Sequence, residues 1–355
     1  INSRCTTYKE AKEIQSEVVK ILLAYTQPLL LLPDGMTTAN IHKSLWTQMI
    51  GEVIKYSLNA PYRFTTGLAI LSELLPLPLP VSIQANEISK LETQRLVTER
   101  QLWSAHLHPQ SQLIIEMVQS FCLSSSSELF TLLYKVCIQL SDLAPNMTLL
   151  ISRSVVDLIL SEAADKNNEG TVILSRLLSF LSMLVRHACV KVSVLSLLSG
   201  KLAEVMSQIL KITNDSNADH VSSQFHVLTI LQSLFDCEIS MLLNTNHNPE
   251  LILASGLPFK EVIKQFTDDI VSVFVKTSIE SLTFASLRTM TLLTEHDITM
   301  KSLKSALWSK QEKLIERLNK IAEGKNDRKQ ILIIEVFEMI RLLINIETNE
   351  ASLLP

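Results

Sequence analysis

Glycine is scarce in this chain, with seven in 355 residues. Nucleotide-binding α/β folds spend glycine on phosphate loops and tight turns, so the shortage argues against them. Aromatic residues make up only 5%, while leucine, isoleucine and serine abound, a balance suited to helices packed by aliphatic side chains. The five cysteines (Cys5, Cys122, Cys137, Cys189, Cys237) are far apart and form no Cys-x-x-Cys pair. Four of them sit in apolar helical runs, where free cysteine behaves as a small buried hydrophobe. An odd number without a framework points to a reducing compartment, cytosol or nucleus. No signal peptide is expected within this stretch, and it holds no apolar run of transmembrane length free of charge or proline. A start at Ile1 and an end at Pro355, in mid-pattern, read as a fragment of a longer protein.

The formal net charge is −4, so the chain as a whole is no polycation built for nucleic acid. The charge is uneven, however. Lys301, Lys304, Lys310, Lys313, Arg317, Lys320, Lys325, Arg328 and Lys329 share their span with only Glu312, Glu316, Glu323 and Asp327. Two readings are open for it: a solvated helix face with i,i+4 ion pairs, or a surface for RNA or an acidic partner.

What is present is helical periodicity. Leu129, Leu132, Leu133, Val136 and Leu140 form one apolar stripe. Leu149, Leu150, Val155, Val156, Ile159 and Leu160 form a broader one. Thr6 or Thr7, Thr37 or Thr38, Ser126 and Asn217 are candidate N-caps, and Pro61, Pro109, Pro145 and Pro258 occupy first-turn positions. Period-two alternation over strand length is almost absent. Short polar loops at 165–170, 214–220 and 244–249 join about fourteen to sixteen expected helices.

Leu74-Leu75-Pro76-Leu77-Pro78-Leu79-Pro80 stops a helix, because alternating prolines remove donors and push each preceding residue out of the α region. The spacing predicts a rigid connector over 76–80 whose leucines pack against neighbouring helices. An internal echo adds a repeat signal. Leu228, Leu231 and Leu234 align on Leu287, Met290 and Leu293 at an offset of 59 residues, and Glu238-Ile239-Ser240-Met241 aligns on Asp297-Ile298-Thr299-Met300. The expected fold is all-α: an irregular armadillo- or HEAT-like α-solenoid, continuous from residue 1 to 355.

Motifs of catalysis are missing. No Walker loop, Gly-x-Ser-x-Gly elbow, zinc-protease signature or dinucleotide fingerprint occurs. His106 and His108 lie two residues apart, so a helix points them to different faces; metal ligation is disfavoured. Glu295-His296-Asp297 reads as loop chemistry at a helix end. A cysteine paired in space with His187, His226 or His296 is the remaining enzymatic arrangement, and no pattern recommends it. For binding, Trp46, Trp103 and Trp308 are candidate interface anchors, each with an inter-helix core position as the alternative. No cofactor and no metal are expected.

Four segments carry a family resemblance. They are Leu74–Pro80, Leu102-Trp103-Ser104-Ala105-His106-Leu107-His108, Cys137-Ile138-Gln139-Leu140-Ser141-Asp142-Leu143-Ala144, and Leu287–Asp297. In order and spacing they resemble the central helical region of the Virilizer family, from about Thr66 to about Leu307. The resemblance implies a nuclear, non-catalytic scaffold of the mRNA N6-methyladenosine writer complex. It further implies binding to a coiled-coil adaptor similar to Wilms-tumour-associating protein, a CCCH zinc-finger subunit and a Hakai-type RING ligase. A methyltransferase heterodimer would be supported through the adaptor, with effects on splicing. The basic span lies mostly beyond the resembling region. The competing reading is a karyopherin- or trafficking-like solenoid that carries cargo.

Overall fold

The computed structural model describes residues 8–28, 41, 43–77, 90–164, 168–198, 200–212, 217–235, 257–294, 297–322, 334 and 336. These residues are helical, joined by turns, with no strand among them. The helices are α1 (Tyr8–Tyr25), α2 (Leu45–Leu58), α3 (Pro61–Leu74), α4 (Lys90–Leu107), α5 (Ser111–Cys122), α6 (Ser127–Leu143), α7 (Pro145–Ala164), α8 (Asn168–Leu184), α9 (Ala188–Leu197), α10 (Lys201–Lys211), α11 (Ala218–Phe235), α12 (Leu257–Lys276), α13 (Glu280–Leu293), α14 (Asp297–Ser309) and α15 (Gln311–Ala322). A short 3-10 turn, His108–Gln110, joins α4 to α5.

Several starts follow from local chemistry. The Ser126 hydroxyl accepts from the Leu129 amide and caps α6. Asn217 Oδ1 accepts from the amides of Asp219 and His220 ahead of α11. Pro61 and Pro145 open α3 and α7, where a missing N–H costs nothing. Gly200 precedes α10 with φ +87°, a left-handed conformation that favours glycine. Thr6, Thr7, Thr37, Thr38 and the loop 244–249 lie outside the described residues.

The chain divides into two compact units, residues 1–158 with 187–194, and residues 159–186 with 195–355. In the first, α2 pairs with α3 and α5 with α6, while α3 packs on both α1 and α6 and α2 packs on α5. In the second, α10 pairs with α11 and α12 with α13. There α8, α11 and α13 succeed one another in one row, and α10, α12 and α14 in the other. Two rows of antiparallel-type hairpins, each touching its sequence neighbours, are the helical-repeat arrangement the periodicity predicts. The internal echo has a physical basis here. Leu228, Leu231 and Leu234 of α11 and Leu287, Met290 and Leu293 of α13 are all buried, in successive helices of one row. The other half of the echo, from Glu238 to Met241, lies outside the described residues.

Two buried glutamines close helix ends. At the end of α3, Pro76 stops the ladder and leaves the last carbonyls without helical donors. Gln139 Nε2, from α6, lies 2.9 Å from Ser72 O, 3.0 Å from Leu75 O and 3.3 Å from Pro76 O. In the second unit Gln224 Nε2, from α11, lies 2.7 Å from Ile212 O, 3.2 Å from Ile209 O and 3.3 Å from Leu210 O at the end of α10. Gln139→Leu should therefore cost about 2 kcal/mol, because buried carbonyls lose their donor while volume is kept. Urea unfolding checks it, and an unchanged midpoint would show that the amide is dispensable.

The connector differs in part from expectation. Leu74 and Leu75 are buried, but Leu77 is 73% exposed and packs little. Gln139 already occupies the adjoining carbonyls of Leu75 and Pro76. Pro78 to Pro80 lie outside the described residues. Leu149, placed on the α7 stripe by periodicity, is also exposed.

Candidate functional site

Trp46 and Trp103 do not serve as interface anchors on the surface of their unit. Trp46 is 1% exposed and Trp103 7%, and their rings meet edge to face with centroids 4.9 Å apart. His106 completes the cluster 5.3 Å from Trp46. Its Nδ1 lies 2.7 Å from Thr47 Oγ1, which also reaches Ile41 O at 3.2 Å. This knot fastens α4 to the start of α2, and it accounts for His106 as a core histidine; His108 lies in the 3-10 turn. Trp308 is the opposite case: it stands 75% exposed near the end of α14.

The basic span separates into two groups. Lys310 pairs with Asp268 of α12 and also lies 3.4 Å from the Asp268 carbonyl. Arg317 Nη2 donates to Thr283 Oγ1 of α13 at 2.8 Å. These two cations fasten the α14–α15 corner to the hairpin beneath, so they belong to the framework and not to a binding face. Lys320 pairs with Glu316 at 2.6 Å, and this contact holds the Glu316 carboxyl below its usual range. Lys301 and Lys313 are exposed and Lys304 is half-buried. Lys325, Arg328 and Lys329 lie outside the described residues. Reversing charge at Arg317 as a test of RNA contact would therefore also loosen α15.

A second surface lies on α1. Ile14, Ile21 and Tyr25 are exposed and share one helical face at i, i+7 and i+11. Thr26 Oγ1 sits 3.1 Å from Met49 Sδ, and Leu45, one turn before Met49, is exposed as well.

One cysteine–histidine neighbourhood does form. Asp142 lies 3.9 Å from Arg100, and both act electrostatically on His187 and Cys189. Burial is the dominant influence on each: it raises the Cys189 thiol, against the pull of Arg100, and lowers His187. A thiol held protonated is a poor nucleophile. Cys122 and Cys137 are raised by burial in the same way. Among the described residues no group of three or more His, Cys, Asp and Glu is placed to hold a metal. Glu295 and His296 lie outside the described residues. No described helix is long and apolar enough to cross a membrane.

In the second unit burial also lowers His226 from its ordinary value of 6.5; its Nδ1 is 3.5 Å from Ser182 Oγ of α8. The unfolded chain takes up the proton near 6.5, whereas the folded chain does so only at lower pH. This contribution to stability is complete above 6.5 and is lost as pH falls through it. The urea midpoint should drop between about pH 7.5 and pH 5.5, and His226→Gln should flatten that drop. An identical slope in the variant would assign the effect to other groups.

Paired helices in rows, with aromatic and cationic side chains displayed on helix faces, define an all-α helical-repeat protein. No curated family profile matches the chain. Protein virilizer of Drosophila melanogaster is 41% identical over 311 residues, covering 87% of this chain and 16% of the relative. The human virilizer homolog is 31% identical over 362 residues, covering 96% of this chain and 20% of the relative. The mouse homolog is 34% identical over 336 residues. The chain belongs to the virilizer family and spans about a sixth to a fifth of these relatives, within their central region. Among solved structures, a designed armadillo repeat protein in complex with the peptide (KR)4 is similar at TM-score 0.43 and 10% identity, covering 83% of this chain and 99% of that one. A second designed armadillo repeat protein gives 0.40 at 10%. The fold assignment rests on the helix pairing itself.

Proposed function

We propose that this chain is a scaffold segment of the nuclear mRNA N6-methyladenosine writer complex. It binds the coiled-coil adaptor and, directly or through it, the CCCH zinc-finger subunit and the RING ligase. The methyltransferase pair is reached through the adaptor, and methylation and splicing are affected without chemistry in this chain. The observation that carries this reading is kinship with virilizer proteins along nearly the whole segment. The apolar face of α1 supports it, since Ile14, Ile21 and Tyr25, seven and then four residues apart, share the one-sided spacing by which an amphipathic helix meets a partner. Affinity purification of the full-length protein from nuclear extract, followed by mass spectrometry, tests the proposal. Recovery of adaptor, zinc-finger subunit and methyltransferase pair is expected. Recovery of transport factors or coat proteins in their place would overturn it in favour of a cargo carrier.

A further inference from the structure

We infer that Ser125, in the loop between α5 and α6, is a phosphorylation site that receives the γ-phosphoryl group of ATP from an acid-directed serine kinase. The inference does not depend on the writer complex. Residues 123–126 join the two helices, and Ser124, Ser125, Ser126 and Ser127 follow one another there. Ser125 is exposed, and its hydroxyl has no hydrogen-bond partner among the described residues. Its neighbours are engaged differently. Ser124 Oγ accepts from the Ser126 amide at 3.2 Å, and Ser126 Oγ accepts from the Leu129 amide at 3.3 Å. Ser127 already lies in α6. The backbone at Ser126 is extended, with φ −75° and ψ 116°, so the acceptor itself stands on non-helical chain open to a kinase cleft.

Charge selects the class of kinase, since kinases separate their substrates by the charges placed around the acceptor. No lysine or arginine occurs between Arg100 and Lys135, which leaves a base-directed kinase nothing to read. Ser126 directly follows the acceptor, which excludes a proline-directed one. Glu128, exposed, stands three residues after Ser125. None of the other three serines has an acid at that distance. Glu128 sits in the first turn of α6, and helix ends fray, so presenting it to a kinase opens a single turn.

The fold separates Ser125 from the other described hydroxyls with the same spacing. Ser154, Thr277 and Thr294 precede Asp157, Glu280 and Asp297 by three residues, but all three are buried. Ser233 and Ser309 precede Asp236 and Glu312 in the same way, but they belong to α11 and α14. Ser309 Oγ also donates to Ala306 O at 2.8 Å.

In the transfer, Ser125 Oγ forms a bond to the γ-phosphorus while the bond from that phosphorus to the β,γ-bridging oxygen breaks. ADP leaves with the electron pair, and the hydroxyl proton passes to the base of the kinase. The product carries about two negative charges at pH 7. It stands just ahead of the first-turn amides of α6, which lack intrahelical acceptors, so the helix start tolerates it.

The test incubates the whole folded chain with ATP and a purified casein kinase, as the acid-directed enzyme, and locates phosphate by mass spectrometry. A single phosphate on Ser125 is expected. Ser125→Ala should abolish incorporation. Glu128→Gln should slow it roughly tenfold or more, because a cation of the kinase loses its carboxylate partner. Glu116→Gln, which alters the preceding acid of the chain, should leave the rate unchanged. Urea midpoints of the variants at the parent value separate a lost site from a lost fold. Cyclic-AMP-dependent protein kinase, a base-directed enzyme, should leave the loop unmodified. No incorporation, or phosphate on Ser154 or Ser309 in place of Ser125, overturns the inference. So does an unchanged rate in Glu128→Gln, or equal modification of the loop by the base-directed enzyme.

Discussion

Trp46→Ala should destabilise the first unit by about 3–5 kcal/mol, the cost of emptying a large, fully enclosed aromatic site. The indole is enclosed by Trp103 and His106 and joins α2 to α4. Its removal takes away both aromatic edge contacts and opens a void next to the Thr47–His106 hydrogen bond. Trp46→Phe should cost considerably less, because no hydrogen-bond acceptor lies opposite the indole N–H and a ring still fills much of the site. Urea unfolding followed by circular dichroism measures both. Trp308→Ala is the control from the same residue type and should stay within about 0.5 kcal/mol of the parent. Equal losses at the two positions would contradict the core and surface assignments given to them.

Gly67→Ala should be the next most damaging change, at about 3 kcal/mol. A Cβ at this position would lie 1.8 Å from Ser57 Oγ, 2.7 Å from Ser57 Cβ and 3.0 Å from Ser57 Cα. Rotating the serine side chain relieves only the first of these contacts. The remaining two force α2 and α3, the first hairpin of the unit, to move apart. Ser57 is fully buried and donates to Val53 O, so no solvent-filled space exists to absorb the shift. Ser57→Gly should be tolerated far better than Gly67→Ala, and combining the two should recover much of the loss. A double variant as unstable as Gly67→Ala alone would place the strain elsewhere than at the helix crossing.

Much of the architecture is readable from local chemistry. Ser126, Asn217, Pro61 and Pro145 act within one helical turn of themselves, so their roles need no knowledge of the fold. The row-wise repetition is readable too, because Leu228 and Leu287 occupy equivalent buried positions. What periodicity does not convey is which face meets a neighbour. Trp46 and Trp308 both lie in apolar-rich helical runs, and only α4 packing over α2 buries the first. Lys310 and Lys313 look alike in sequence, yet Asp268, 42 residues away, claims only Lys310. Leu77 was expected to pack because it is apolar, but the chain leaves α3 with that side chain outward. Gln139 and Gln224 carried a usable signal, a lone amide inside an otherwise apolar stripe.

The two glutamine caps also set a timetable for a chain made from its N-terminus. Gln224 reaches back only 12 to 15 residues, so α10 can be completed almost as soon as its partner leaves the ribosome. Gln139 reaches back 63 to 67 residues. At roughly 5–20 residues per second, the last turn of α3 waits several seconds for its donor. During that interval its carbonyls depend on water, and the turn frays with little resistance. One unit is thus closed by a neighbour and the other by a late arrival, a difference that pausing of synthesis between α3 and α6 would lengthen.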